Sequence, residues 1–217
     1  MPHLFVAAPW SEANVDLPRD MRRHLEKVLR LDAPAEVTYT DGLGTVGSGV
    51  FEGSSIKRGI EEQRPRPSRL TIAVAPPKNN ARLRFVVEKL AEIGVERLVW
   101  LETEYGEGKP PRAEKALAWA IAALEQSRGA WLMDIVGFVP IAGIAELGTP
   151  LLADHGGERF AEIQPVSQPV LCIGPEGGFA IGELPDQAQR VSLGPTVLRV
   201  ETAAVVGATI LLDVLRR

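Results

Sequence analysis

From Leu70 onward the chain alternates short apolar runs with amphipathic helical stretches, and this alternation limits the fold more than any other feature. Residues 70–75 form a compact apolar run. Residues 81–93 follow a helical pattern, with Leu83, Val86, Val87 and Leu90 on one face and Gly94 where a C-terminal cap belongs. Residues 95–101 read as the next strand and 113–128 as the next helix. Residues 151–153 and 170–173 read as buried strands, and 202–215 as a final helix. Strands that recur between helices predict an α/β domain with a mostly parallel sheet covered on both faces. Ligands bind such sheets outside the carboxyl ends of the strands. The loops after Ile173 and after Leu193 are therefore the places to look.

The front of the chain has a different character. Residues 36–40 and 46–51 are short, β-branched and bounded by glycine, and Asp41-Gly42 has the form of a hairpin turn. One helix is expected over 18–31, with Leu17, Met21, Leu25 and Val28 along one stripe. Arg19, Arg22, Arg23, Lys27 and Arg30 mostly take its other side, which is either a solvated face or a place for a polyanion to dock. Residues 59–68 are charged, contain two prolines and lack apolar periodicity, so they read as a linker. This divides the chain into a small β-rich module, 1–66, and a larger α/β domain, 67–217.

Net charge does little to single out a nucleic-acid partner. The whole chain carries −4, whereas residues 1–69 balance ten basic against ten acidic side chains. The less acidic part is thus the one with the basic helix. Cys172 is the only cysteine, which rules out an intrachain disulfide and a cysteine-rich zinc site and fits a reducing cytoplasm. The longest apolar run near the end, 205–212, falls well short of the ~20 residues that span a bilayer, and the amino terminus lacks a signal-peptide pattern. Neither a membrane nor a metal is expected.

Two loops carry the chemistry. The first, Gly174-Pro175-Glu176-Gly177-Gly178, follows the apolar run ending at Ile173. It lacks both the Lys-Ser/Thr of a phosphate-binding P-loop and the spacing of a dinucleotide fingerprint. The second, Leu193-Gly194-Pro195-Thr196-Val197-Leu198-Arg199-Val200-Glu201-Thr202-Ala203, leads into the last helix. Alone, either could be a turn or a helix cap with a surface ion pair. In this order and at this separation, the pair closely resembles the RsmE family of SPOUT-superfamily methyltransferases. His24-Leu25, Val28-Leu29-Arg30, Glu88-Lys89-Leu90-Ala91-Glu92-Ile93-Gly94-Val95 and Glu125-Gln126-Ser127 are further similar segments. The chain departs from the family at 102–107, an acidic stretch where a Ser/Arg-bearing loop is usual, and in a shorter front module.

The resemblance implies a PUA-like β-barrel that helps to hold RNA, followed by a domain whose carboxyl-terminal segment forms a trefoil knot. It implies S-adenosyl-L-methionine as cofactor and 16S rRNA or the small ribosomal subunit as substrate, methylated at N3 of a uridine. It also implies a homodimer. The cofactor positions would be Ile173, Gly174, Pro175, Glu176, Gly177 and Gly178, with Leu193, Gly194 and Leu198 from the second loop. Arg199 would stabilise negative charge developing on a base carbonyl. Glu201 would orient Arg199 or accept a proton, and Glu176 would satisfy loop N–H groups. Arg19, Arg22, Arg23, Lys27 and Arg30 would contact RNA. His24, His155 and Cys172 are expected to be structural. Two alternatives remain open: a SPOUT enzyme acting on another RNA position, and a non-catalytic ribosome-assembly factor that binds RNA.

Overall fold

The computed structural model describes residues 1–163, 166–185 and 188–215. It divides into two compact units, the first of residues 1–66 and 124–132, the second of residues 67–123 and 133–217.

In the first unit, strands β1 (His3–Phe5), β2 (Asn14–Asp16), β3 (Ala35–Thr40), β4 (Thr45–Phe51) and β5 (Ser55–Gln63) form one curled sheet in the order β1-β3-β4-β5-β2. Only β1 and β3 run parallel. The β3–β4 turn is fixed by Asp41, whose Oδ1 accepts from the Leu43 and Thr45 amides at 2.7 and 3.0 Å. Val15, Val37, Tyr39, Phe51 and Ile56 fill the concave side together with Leu25 of helix α1 (Arg19–Lys27). This is the PUA-like half-barrel.

The helix is shorter than the expected 18–31. Arg30 takes a left-handed φ of 51° and the Leu31 amide donates back to the Leu25 carbonyl at 2.9 Å, a closing turn that leaves Val28 64% exposed. The apolar stripe therefore ends one turn early. The supposed linker is also partly strand, since β5 runs to Gln63 and pairs with Thr45. Its outward residues, Ile60 among them, are exposed, so no apolar alternation marks it in the sequence.

Residues 124–132 complete this unit. Glu125 accepts from the Phe5 amide at 2.9 Å, the Ala130 carbonyl accepts from the Gly44 amide at 2.9 Å, and Trp131 donates from its indole to the Arg64 carbonyl at 3.0 Å. His3 is buried beside them, Nε2 on the Gly129 carbonyl at 3.0 Å and Nδ1 on the Thr38 hydroxyl at 2.8 Å. Burial holds its imidazole below the usual value.

The second unit is a six-stranded sheet, parallel throughout its recorded pairings. Its strands are β6 (Thr71–Val74), β7 (Arg97–Glu102), β8 (Asp134–Pro140), β9 (Thr149–Arg159), β10 (Pro169–Ile173) and β11 (Gln189–Ser192), in the order β11-β9-β10-β6-β7-β8. Helices α2 (Asn80–Ile93), α3 (Ala113–Ser127) and α4 (Val200–Leu215) lie between and after them. Both faces are covered. Val170 and Cys172 of β10 pack with Ile141 and Ile144, whereas Leu171 between them lies against Gly207 of α4, too close for any side chain there. The Asn79 side chain caps α2 on the Ala81 amide at 2.8 Å, and Gly94 closes the helix. After β11 at the sheet edge, α4 returns to pack on α2, β10 and β6.

Candidate cofactor cavity

The carboxyl end of β10 and the middle of β9 open into a cavity of about 1030 Å³. Of the nine cofactor positions expected from sequence, Ile173, Gly174, Pro175, Glu176, Gly178, Leu193, Gly194 and Leu198 line it. Gly177 does not line it; a side chain there would lie 3.5 Å from Tyr105. Two of these expected glycines are required by the backbone. Gly178 sits at φ 74° and Gly194 at φ 149°, and an added Cβ at either would meet nothing within 4 Å. Open space beside strained, glycine-only backbone is what a ligand needs for close approach. The Gly178 amide donates to the Pro175 carbonyl at 2.9 Å, which tightens the first loop into a turn.

Leu152 within β9 and Ile173 at the end of β10 supply apolar wall. Asp154, His155 and Arg190, none of them expected here from sequence, supply polar wall. Arg190 pairs with Asp154 at 2.6 Å. The Gly156 amide, and after it Arg190, hold the Asp154 carboxyl below its usual range against the opposing effect of burial. His155, expected to be structural, thus borders the cavity, while His24 is exposed on α1.

The charged residues of the two loops are placed differently from expectation. Helix α4 starts at Val200, so Glu201 lies in its first turn and Thr202 inside it. The Arg199 carbonyl accepts the first helical bond, from the Ala203 amide at 2.8 Å. The Arg199 side chain lines the cavity, is exposed and forms no ion pair with the described residues. Glu201 does not orient it. Instead Arg82, from the first turn of α2, reaches Glu201 Oε1 with its Nε at 3.4 Å and Glu176 Oε1 with its NH1 at 3.0 Å. Glu176 therefore pairs with a guanidinium and makes no recorded bond to a loop N–H. The sequence reading missed Arg82, whose only signal is a basic residue facing out of the first turn of a helix.

The acidic stretch 102–107 is also bound in. Glu183 accepts from the Glu104 amide with one oxygen and from the Ala180 amide at 2.8 Å with the other, and Lys78 pairs with Glu107. Cys172 is fully buried, and burial pushes its thiol up to about 12, so it is inert as a nucleophile. The expected RNA contacts Arg19, Arg23, Lys27 and Arg30 are exposed around α1, while Arg22 is half-buried with its Nε lacking a partner. No group of three or more metal-binding side chains occurs among the described residues, and no described helix is long and apolar enough to cross a membrane.

A parallel sheet whose ligand cavity is built from two glycine loops and a returning last helix defines the class, and the chain belongs to the family described as the RNA methyltransferase domain, matched over residues 64–212. Within that class the kinship is of the RsmE type. The chain is 27% identical to ribosomal RNA small subunit methyltransferase E of Rickettsia conorii, over 89% of this chain and 87% of that one. A solved structure of a probable rRNA-methyltransferase from Porphyromonas gingivalis matches with a TM-score of 0.85 and 29% identity, covering 100% of this chain and 99% of the other. Ribosomal RNA small subunit methyltransferase E from Neisseria gonorrhoeae, solved bound to S-adenosyl methionine, matches with a TM-score of 0.83 and 25% identity, covering 99% and 98%.

Proposed function

We propose that the protein methylates N3 of a uridine in 16S rRNA, with S-adenosyl-L-methionine as donor, in the cytoplasm and as a homodimer. The observation that carries this reading is the cavity itself, lined from both glycine loops in a chain of the RsmE type. Its volume lies at the upper end of the ~300–1000 Å³ typical of small-molecule sites. A factor that only binds RNA has no use for such a cavity. Ile173, Gly174, Gly178, Leu193, Gly194 and Leu198 would hold the donor, the aliphatic ones excluding water and the glycines admitting it to the backbone. When bound, the donor supplies a methyl group already activated on a sulfonium sulfur.

The chain then has two tasks. It must hold acceptor and donor in line, which binding geometry supplies. It must also favour the imide anion, because a neutral uridine still carries its N3 proton. Arg199, at the cavity wall and without an ion-pair partner among the described residues, is available to stabilise negative charge on a base carbonyl. Arg19, Arg22, Arg23, Lys27 and Arg30 would anchor the phosphates on the first unit.

The decisive experiment maps modified nucleotides in rRNA from cells lacking the protein, alongside titration of purified protein with the donor. Loss of one N3-methyluridine from 16S rRNA and stoichiometric donor binding are expected. Loss of a ribose 2′-O-methyl group instead would identify the other enzymatic alternative. Intact methylation with no donor binding would leave an RNA-binding assembly factor. Sedimentation of the purified protein reads the oligomeric state.

A further inference from the structure

Three charged side chains that are remote in sequence meet beside the cavity. Arg82 comes from α2, Glu176 from the loop after β10, and Glu201 from the first turn of α4. The guanidinium bridges the two carboxylates, at 3.0 Å to Glu176 and 3.4 Å to Glu201. The surroundings of the two pairs differ. The Glu176 side chain is 73% exposed, so that ion pair alone contributes little. The Glu201 side chain is only 13% exposed, and its Oε2 is buried without a hydrogen-bond partner. A buried carboxylate in that condition depends on its one cation. Arg82 is thus anchored at Glu201, and from that anchor it reaches across to the glycine loop.

We propose that Arg82 is a positioning residue that latches the two cofactor loops together: anchored on Glu201 at the entry of α4, it holds Glu176 and so fixes the spacing across which the donor binds. The proposal rests on the donor-binding reading given above. Geometry supports a positioning role because the guanidinium fork can serve two carboxylates in different directions, which a lysine ammonium on a flexible stem does less rigidly. It also accounts for Arg199. Both nearby glutamates are engaged by Arg82, which leaves Arg199 with no partner among the described residues.

The test uses the full-length protein and three variants, Arg82→Met, Arg82→Lys and Arg82→Met/Glu201→Gln. Two readouts are taken on each, hydrogen exchange of the backbone amides without ligand and calorimetric titration with S-adenosyl-L-methionine. Arg82→Met should speed exchange selectively at 174–178 and 194–203 and weaken donor binding about two- to fivefold, with Arg82→Lys intermediate in both. Removing the head group also strands the Glu201 charge, which by itself would lower stability. The double variant removes that charge. It should recover thermal stability while donor binding stays weak and the 174–178 amides stay fast, because Glu176 remains untied. If the double variant regains donor affinity along with stability, Arg82 only neutralises a buried charge and the latch is refuted. Unchanged exchange in both loops of Arg82→Met refutes it as well. If the wild-type protein binds no donor, the proposed function fails, and exchange alone then decides on the latch.

Discussion

Arg199 and His3 show how differently two polar residues can depend on their surroundings. Arg199 reaches the cavity with no ion pair to a described residue, so replacing it leaves no buried charge behind. Arg199→Ala should cut single-turnover methylation ~10²–10³-fold, the usual cost of one preorganised donor, and change the donor dissociation constant little. Arg199→Lys should recover part of the rate. Equal losses in donor affinity and rate would instead assign Arg199 to binding. His3 is the opposite case, buried and hydrogen-bonded at both nitrogens, with its folded pKa depressed below 6.5, burial being the main cause. Its neutral form is favoured by folding, so its contribution is fully present above pH 6.5 and is lost as pH falls below that value toward the folded pKa. The melting temperature should therefore fall between about pH 7.5 and about pH 5.5, and fall less in His3→Gln. Parallel slopes in the two proteins would remove His3 as the cause.

At the scale of elements, the roles proposed for α1 and for the two glycine loops can be separated by substitution. Leu25 docks α1 into the half-barrel and leaves Arg19, Arg23 and Lys27 exposed. Reversing the charge of Arg19 and Arg23 should weaken RNA binding and flatten its salt dependence, since a phosphate that is no longer neutralised keeps its counterion. Donor affinity should not change. RNA binding unaffected by both reversals would mean the basic face is merely solvated. In the second loop, Gly194→Val puts a β-branched residue at φ 149° and its side chain into open space at the cavity. Donor binding should be lost or fall by more than tenfold while far-UV circular dichroism is kept. Gly177→Val is the informative contrast, because Gly177 has no positive φ and faces Tyr105. Its effect on the donor should be the smaller of the two.

For the whole molecule, the excursion of residues 124–132 into the first unit has a consequence for truncation. A chain beginning at Pro67 retains every residue that lines the cavity, all of which lie between Arg82 and Ala203. It also leaves Glu125, Ala130 and Trp131 without the partners that the first unit supplies. Such a chain should bind the donor but melt at a lower temperature than the full protein. A truncated chain that is folded yet does not bind would show that the first unit is needed for the cavity.

How much of this was legible in the sequence follows from the range of the interactions involved. The alternating pattern after Leu70 yields the parallel sheet, because burial on both faces requires apolar runs such as 170–173 wherever the sheet passes. The glycine loops are legible for a local reason too: Gly178 and Gly194 occupy backbone that other residues enter at a cost. Where the pattern is not local, reading fails. Strand β9 reaches the polar residues Glu158 and Arg159 because Val191 and Ser192 of β11 pair with them past a register shift, and β5 continues through 61–63 because β4 pairs with it there. The end of α1 at Lys27 is set by a closing turn that no stripe of apolar residues encodes. Arg82 could not be joined to Glu176 and Glu201 from spacing, since three separate segments meet only once α2 and α4 pack together. Local burial and backbone requirements were thus written in the sequence, and the ion pairs and strand neighbours, which depend on residues dozens of positions away, were decided by the tertiary structure.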